Sequence, residues 1–283
     1  MLDILIDALS DSIKLIPFLF ITYLIMEYLE HKTSDKNKDY IKKSGKWGPV
    51  IGGLLGAFPQ CGFSVSATNL YVGRIISLGT LIAVYLSTSD EMIPVFLAET
   101  VPLSVIFKVL GIKVIIGIIA GFCIDFIWRK SENNYKNEIS EICANEHCHC
   151  EDGIVKSALK HTASITLFIF IISLALNFVR DFVGDDNISR LVLNRPILGP
   201  LIACLIGLIP NCAASVIITK LYIGEMISSG TMIAGLLSSS GVGLLVLFKM
   251  NKHLKENIKI VSMLYGIGVI IGIIFEFLGV NLY

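Results

Sequence analysis

Two short motifs place polar groups inside apolar sequence. Pro59-Gln60-Cys61-Gly62 and Pro210-Asn211-Cys212-Ala213 each set a proline, an amide and a cysteine side by side. Proline interrupts a helix, so a second helix is expected to begin just beyond it. The free N–H groups and dipole of that helix stabilise a thiolate, while amide oxygens and the carbonyls that end the preceding helix can ligate a cation. Each motif therefore predicts half of an ion-binding site.

A cluster of hydroxyl-bearing residues follows each of these motifs in the sequence, and the first cluster also contains two carboxyl groups. One apolar stretch contains Ser87-Thr88-Ser89-Asp90-Glu91, and a later one contains Ser238-Ser239-Ser240-Gly241-Val242, so the acids occur once. Ionisable groups inside a membrane segment are costly and usually functional, as cation ligands or proton carriers. Two alternatives stay open: the acids could lie at the outer rim, and the serines could bond to their own helices. The predicted substrate site comprises Gln60, Cys61, Ser64, Ser87, Ser89, Asp90, Glu91, Asn211, Cys212, Ser215, Ser238 and Ser240.

A third group of candidate ligands lies in a polar linker. Cys143, His147, Cys148, His149 and Cys150 bring five thiol or imidazole groups into eight residues. Such ligands suit Zn²⁺ or another thiophilic metal. Alternating His and Cys cannot all face one ion without a bent loop, so the spacing matches no common zinc fold. We predict metal binding here, with a solvated loop that merely tolerates cysteines as the alternative.

The first two sets of motifs belong to an internal duplication. Residues 48–97 align without a gap onto residues 199–248, at a constant difference of 151 in residue number. Chance similarity between apolar segments would pair Leu with Ile, whereas here Pro-polar-Cys pairs with Pro-polar-Cys. The run Val-Ile-Ile-Gly-Ile-Ile at 114–119 also recurs at 269–274. The polar centre of this duplication is the candidate functional site.

Composition limits the class of protein. The 283 residues are 54% hydrophobic, with a mean hydropathy of +0.75, which indicates a membrane protein. The acidic Asp3, Asp7 and Asp11 replace the basic start of a signal peptide, so the first apolar run is expected to be retained. The sequence lacks a nucleotide-binding glycine loop, a His-Glu-x-x-His or Gly-x-Ser-x-Gly pattern and a basic aromatic stripe. We therefore expect neither an enzyme, nor a required cofactor, nor a nucleic-acid partner.

The lengths and charges of the apolar segments predict a topology. Residues 48–58 and 61–73 each cover only about 16–20 Å as helices, against roughly 30 Å of hydrocarbon. We interpret them, and residues 199–209 and 212–224, as re-entrant hairpins. The lysine-rich stretches at 30–47, 129–160 and 249–259 then all lie on the cytoplasmic side, as the positive-inside rule favours, with both termini outside. The spanning segments are expected at 12–30, 75–97, 102–128, 162–179, 227–248 and 261–278.

This arrangement gives an all-α fold of two inverted repeats, residues 1–128 and 161–283, joined by a cytoplasmic linker at 129–160. Each repeat has three spanning helices and one re-entrant hairpin. Lys113, Asp125 and Glu276 lie near enough to segment ends to snorkel, and no role is expected of them. Inverted repeats with interrupted helices around a central site are typical of secondary transporters. A channel or a membrane metal sensor could share the same core.

At these residues the chain resembles a bacterial family of ten-segment heavy-metal exporters, whose members are labelled arsenic efflux proteins or manganese transporters. The likeness covers nearly the whole chain, through the two hairpin motifs, the Ser-Thr-Ser-Asp-Glu stretch and the His-Cys-His-Cys linker. It implies export, a bacterial cytoplasmic membrane and ten segments, which equal six crossings and two two-legged hairpins. Thiols favour arsenite-like or thiophilic ions, whereas carboxylates and amides suit Mn²⁺. The expected partners are the lipid bilayer, the metal ion and protons, and a homo-oligomer is compatible with the sequence.

Overall fold

The computed structural model describes residues 47–59, 61–89, 92–128, 197–280 and 282, with single positions in two flanking stretches, 9–24 and 155–174. Every regular element with described bounds is an α-helix. The first five are α1 (Gly48–Gly56), α2 (Gly62–Val72), α3 (Leu78–Ser87), α4 (Met92–Ala98) and α5 (Leu103–Trp128). The next five are α6 (Leu198–Gly207), α7 (Cys212–Ile223), α8 (Ser229–Ser238), α9 (Gly243–Met250) and α10 (Leu254–Phe277).

The two sets of five helices follow the same plan. Two short helices come first, then two helices separated by a few non-helical residues, then one long helix. Among the described residues, four stretches are long and apolar enough to cross a membrane: Leu78–Ala98, Leu103–Trp128, Ser229–Met250 and Leu254–Phe277. Both serine-rich clusters interrupt their stretch, because α3 ends at Ser87 and α8 ends at Ser238. The described part of the chain is therefore an all-helical membrane fold with two interrupted helices.

Matched turns connect the short helices to the interrupted ones. Arg74 and Glu225 both adopt the left-handed backbone conformation, with φ of 56° and 57°. This conformation is uncommon for residues with a side chain and ends a helix in a tight turn. Ser77 and Ser228 then cap the next helices, accepting hydrogen bonds from the amides three residues on at 3.1 and 3.2 Å. Capping serines at these places are the ordinary signal for a helix start.

Helices pack in two ways. Within each half, the first short helix and the long helix pack on the interrupted helix: α1 and α5 on α3, and α6 and α10 on α8. Between the halves, α9 packs on α2 and α4 packs on α7. Each half therefore places the second piece of its interrupted helix against the second short helix of the other half.

Small residues permit the close approach within each half. A methyl group on Gly121 would lie 2.6 Å from the backbone oxygen of Gly79, and one on Gly272 would lie 2.9 Å from the backbone oxygen of Gly230. Small residues at such crossings let helix backbones touch, which is the usual packing mode within membranes. The outer faces of the long helices remain apolar and exposed, as Phe126 at 87% and Phe277 at 74% show. These faces suit contact with lipid.

The last lysine-rich stretch differs from the sequence prediction. A polar loop was expected over residues 249–259 and a helix over 261–278, but α10 begins at Leu254. Glu256 in the first turn favours the positive end of the helix dipole. Asn251 accepts a hydrogen bond from the amide of His253 at 3.1 Å and shapes the short connection. The expected spanning segments at 12–30 and 162–179 lie mostly outside the described residues.

Candidate functional site

The first short-helix pair ends in a tip built around Cys61. Cys61 directly precedes α2 and is partly buried. Its backbone oxygen accepts a hydrogen bond from the fully buried Ser64 hydroxyl at 2.8 Å. Phe58 and Phe63 face each other across the tip with ring centroids 5.7 Å apart. Gln60 lies outside the described residues.

The second tip uses its amide as a cap. The Asn211 side chain accepts a hydrogen bond from the amide of Ala213 at 3.2 Å, at the N-terminus of α7. Asn211 is 8% exposed and Ser215 is 2% exposed, so both belong to the protein interior. Cys212 is the first residue of α7, and its side chain lies outside the described part. An amide that caps a helix keeps its second oxygen lone pair as an acceptor.

At the first interruption the hydroxyls bond to nearby backbone. Ser87 donates to the carbonyl of Ala83 at 2.8 Å, and Thr88 donates to that of Val84 at 2.8 Å. Ser89 donates to the carbonyl of Ser87 at 2.9 Å. Ser87 therefore follows the alternative in which the serines hydrogen-bond to their own helix. Each hydroxyl oxygen can still accept a hydrogen bond. Asp90 and Glu91 lie outside the described residues.

The second interruption is bonded differently. Ser238 donates to the carbonyl of Cys204 on α6 and to that of Gly235, each at 3.0 Å. Ser239 and Ser240 are each 1% exposed, and their hydroxyls have no hydrogen-bond partner in the part of the chain that the structure describes. Unpaired buried polar groups are costly in any protein. This interruption therefore holds hydroxyl groups available to a ligand.

The structure brings the second interruption against the first tip. A methyl group on Gly243, at the start of α9, would lie 3.1 Å from both Cβ and Oγ of Ser64. Thr68 donates to the backbone oxygen of Gly243 at 3.2 Å, and its hydroxyl also hydrogen-bonds the Tyr85 hydroxyl. The start of α9, which follows the second interruption, thus lies against buried hydroxyl groups of α2. The two tips and the two interruptions are together called the polar centre.

Sequence reasoning missed Lys113. It was expected to snorkel from a segment end, but its side chain is 1% exposed and lies within α5. Its ammonium donates to the backbone oxygen of Thr88, the residue that ends α3. The prediction was wrong because distance from the helix end was judged without knowing which face of α5 packs on α3. The sequence did contain a signal, since Leu264 occupies the corresponding place in the second half.

Asp125 and Glu276 were also expected to snorkel, and that prediction was wrong too. Asp125 accepts a hydrogen bond from the Ser77 hydroxyl at 2.7 Å and one from the amide of Gly79 at 2.8 Å. Glu276 accepts from the Ser228 hydroxyl, and from the amide and hydroxyl of Thr231 at 3.1 and 2.9 Å. Both carboxylates hold the N-terminus of an interrupted helix. The repeat spacing already related them, since 125 plus 151 gives 276.

A further polar cluster joins the two halves at the end of α2. Arg74 donates to both carboxylate oxygens of Glu256, at 2.8 and 3.1 Å. The Tyr71 hydroxyl donates to the same carboxylate, and so does the Asn251 amide at 3.1 Å. The sequence analysis did not identify this cluster, because it gave no partner for Arg74. The partner Glu256 was assigned to a loop.

No three His, Cys, Asp or Glu side chains within the described ranges come together as a metal site. The linker ligands predicted at Cys143, His147, Cys148, His149 and Cys150 lie outside those ranges. The described polar centre instead offers hydroxyls, backbone carbonyls, an amide and a thiol. Carbonyl and hydroxyl oxygens suit harder cations, and thiols suit softer ones.

The four long apolar stretches in the described part of the chain indicate a multi-pass membrane protein. The chain belongs to the family described as "Putative, 10TM heavy-metal exporter", whose model matches residues 1–183 and 149–281. These two overlapping matches span nearly the whole chain, and the family resemblance seen in the motifs is confirmed. No curated protein and no solved structure matches the chain.

Proposed function

We propose that this protein is a secondary active exporter of a metal or metalloid ion, which it moves by alternating access between two inverted halves. The main support for this proposal is that each half packs the second piece of its interrupted helix on the second short helix of the other half. We call this arrangement exchanged packing: α9 packs on α2, and α4 packs on α7. In this proposal, one contact closes the path from the centre to the cytoplasm and the other closes the path to the outside. An ion at the centre would reach one side when one contact opens and the other side when the second opens.

The matched details of the halves support an inverted duplication. Asp125 and Glu276 hold the same helix starts, and Arg74 and Glu225 adopt the same rare backbone conformation. Duplicated halves that each cross the membrane three times must point in opposite directions. This count includes the segments at 12–30 and 162–179, so the inversion remains part of the proposal.

Two contacts support the proposed cytoplasmic face. Arg74 pairs with Glu256, and the Lys259 ammonium lies 4.0 Å from the ring centroid of Trp128. The positive-inside argument places all four residues on the lysine-rich side. A helix such as α5 is about 40 Å long at 1.5 Å per residue, so residues on opposite faces could not touch. We accordingly place the protein in the bacterial cytoplasmic membrane with both termini outside.

The other face is supported by an aromatic contact. The rings of Phe96 and Tyr222 meet edge to face with centroids 6.5 Å apart. Phe96 lies in the last turn of α4, next to the lysine-free connection to α5 that is proposed to be outside, and Tyr222 lies near the end of the hairpin proposed to enter from outside. The closure of this face is apolar, whereas the opposite closure is ionic.

The ion is proposed to bind where the tips meet the interruptions. Ser64, Asn211 and Ser215 are buried, and the hydroxyl of Ser240 has no partner among the described residues. The predicted Gln60, Cys61, Asp90, Glu91 and Cys212 would complete the site. Mn²⁺ and arsenite-like or other thiophilic species remain the two candidate cargoes, because the set mixes oxygen and sulfur ligands.

The substrate can be identified by metal sensitivity. Cells lacking the protein and cells overproducing it would be exposed to arsenite, organoarsenicals, Mn²⁺, Zn²⁺ and Cd²⁺. Exporter activity predicts sensitivity to one class of ion without the protein and resistance with its excess, accompanied by lower cellular content of that ion. Unchanged content for every ion would contradict the proposal.

Counterflow separates a carrier from a channel. Vesicles loaded with unlabelled ion should accumulate labelled ion against its gradient if the protein alternates between two states. A channel dissipates the gradient without this overshoot, and a membrane metal sensor gives no flux. If the vesicles conduct the ion but show no counterflow, the protein is a channel and the exporter proposal is wrong.

Proton coupling is proposed to use Asp90 or Glu91. Asp90→Asn should abolish ion movement driven by a pH gradient while the protein still assembles, because the amide cannot release a proton. Glu99→Gln is the matched control, since Glu99 is exposed beyond the end of α4. Normal pH-driven flux in the Asp90 variant would remove that residue from the mechanism.

A further inference from the structure

Lys113 is a cationic group enclosed within the protein. Its side chain is 1% exposed on α5, a 26-residue helix long enough to span a membrane. Charged groups at such depth are expensive and are generally retained for a function. Burying a charge is tolerated only where well-placed partners compensate for the lost water. Lys113 is therefore expected to do more than fill space.

One partner of the Lys113 ammonium is the C-terminal end of an interrupted helix. The ammonium donates to the backbone oxygen of Thr88, which ends α3. The last carbonyls of a helix lack partners within the helix and carry the negative end of its dipole. An ammonium at this point supplies the positive charge that a bound metal cation would otherwise supply.

The second half offers an internal comparison. Leu264 corresponds to Lys113 and is fully buried, while Ser239 corresponds to Thr88. The hydroxyls of Ser239 and Ser240 have no partner within the described ranges. In the sequence, the acids Asp90 and Glu91 likewise have the uncharged Gly241 and Val242 as counterparts. At the sequence positions that correspond to Lys113, Asp90 and Glu91, the second half therefore has only uncharged residues.

We infer that Lys113 is a built-in cation that compensates the negative end of α3 when the transported ion has left. This inference rests on the proposed exporter function and names a residue outside the predicted substrate site. With a divalent cation bound, the cargo itself supplies positive charge to the centre. Without bound cation, the charge of Lys113 compensates the helix end, so the empty protein can change back to the conformation that accepts the next ion. Ion-for-ion exchange therefore does not need Lys113, whereas net export does.

The test compares net transport with exchange in vesicles that contain the purified protein, with labelled Mn²⁺ as the probe. Lys113→Gln keeps an N–H donor for the Thr88 carbonyl but removes the charge, and Lys113→Arg keeps the charge. Lys113→Leu introduces the residue of the second half. Lys108→Leu is the matched control, because Lys108 is an exposed lysine on the same helix.

Lys113→Gln and Lys113→Leu should lose net Mn²⁺ transport by about ten-fold or more while exchange stays within about two-fold of the unaltered protein, because only the empty centre lacks compensation. Lys113→Arg and Lys108→Leu should retain both activities. If the leucine variant does not assemble, the glutamine variant alone provides the comparison.

Three results would overturn the inference while leaving the exporter intact. Restored net transport with Gln would mean that the hydrogen bond, not the charge, matters. Equal losses of net transport and exchange, or failure of both uncharged variants to assemble, would indicate a structural helix cap. If the protein transports arsenite but not Mn²⁺, its cargo is not a cation, and the inference about Lys113 fails. A protein that carries no ion at all would overturn the exporter proposal, and the inference would fall with it.

Discussion

Arg74 and Glu256 join the two halves of the chain through two parallel hydrogen bonds, at 2.8 and 3.1 Å. Such fork-to-carboxylate pairing fixes the orientation of both partners more firmly than a single ion contact. By the repeat spacing of 151, Arg74 corresponds to Glu225 and Glu256 corresponds to Val105, which cannot form an ion pair. A charged pair therefore stabilises the contact between α2 and α9 beside the C-terminal end of α2. The equivalent positions beside the contact between α4 and α7 do not provide such a pair.

Removing this carboxylate should weaken the folded protein. Glu256→Gln is expected to lower the free energy of unfolding by about 1–2 kcal/mol, because weaker neutral hydrogen bonds replace charge-assisted ones. The loss is not larger because solvent already screens the ion pair. Both side chains are 23% exposed, which is why the estimate is modest. Chemical denaturation of the detergent-solubilised protein would measure it, with the exposed neighbour Lys255→Gln as the control.

A double-mutant cycle tests whether the loss comes from this pair. Arg74→Gln combined with Glu256→Gln should cost less than the sum of the single changes, since residues in contact are coupled. Simple additivity would show that the two residues act separately and would contradict the proposed stabilisation by a charged pair.

Two glycines at the ends of the first short helices should tolerate no side chain. A methyl group on Gly56 would lie 2.2 Å from the Ser87 hydroxyl, and one on Gly207 would lie 2.2 Å from the backbone oxygen of Gly235. Alanine at either position should destabilise the protein by about 1–3 kcal/mol, because the backbone must move to admit it. Thermal melting of the purified variants would show the loss.

The long helices supply the matched controls for that experiment. Nothing lies within 4 Å of a methyl group added to Gly111 on α5 or Gly266 on α10. Alanine there should be neutral or stabilising by about 0.5–1 kcal/mol, because glycine is a poor helix former. A similar loss at all four positions would mean that close packing at Gly56 and Gly207 is not the cause.

The carboxylates that hold the interrupted helices should each contribute to stability. Asp125→Asn and Glu276→Gln are each expected to cost about 1–3 kcal/mol, because amide and hydroxyl donors lose a charged acceptor. The hydrogen bonds that hold the two helix starts involve different residues, Ser77 and Gly79 for Asp125 and Ser228 and Thr231 for Glu276. Their effects should therefore add in the double variant. Losses no larger than that of the exposed control Glu99→Gln, measured by denaturation, would contradict a role for these caps.

The linker prediction can be tested by direct binding. Changing Cys143, Cys148 and Cys150 together to Ser should reduce the affinity for Zn²⁺ or Co²⁺, because hydroxyls are poor ligands for thiophilic metals. Metal titration of the purified protein would measure the affinity, and Cys123→Ser would control for an exposed thiol on α5. Unchanged binding would exclude the linker as a metal site.

The sequence predicted those features that a repeat makes visible. Pro59 and Pro210 indicated that short helices would meet at a tip, and the serine clusters located the two interruptions. These inferences need only local chemistry and the spacing of the copies. The same comparison could have revealed the caps, because Asp125 and Glu276 fall at equivalent positions close to the ends of the long apolar runs.

Other features depend on contacts between helices distant in the chain. Lys113 is buried because its face of α5 packs on α3, and the apolar run around it gives no sign of that direction. Glu256 contacts Arg74 only because α9 returns beside α2. The spacing of the two copies could not indicate which helix of one half lies beside which helix of the other.

The exchanged packing of α4 and α9 makes the halves interdependent during folding. A fragment ending at residue 128 would contain α4 without α7 and α2 without α9, so each would expose an apolar side that normally meets protein. Co-production of residues 1–128 and 129–283 as separate chains should therefore yield a stable complex, whereas either chain alone should be degraded. By the same reasoning, a single ancestral repeat would have needed a second copy to cover these apolar sides.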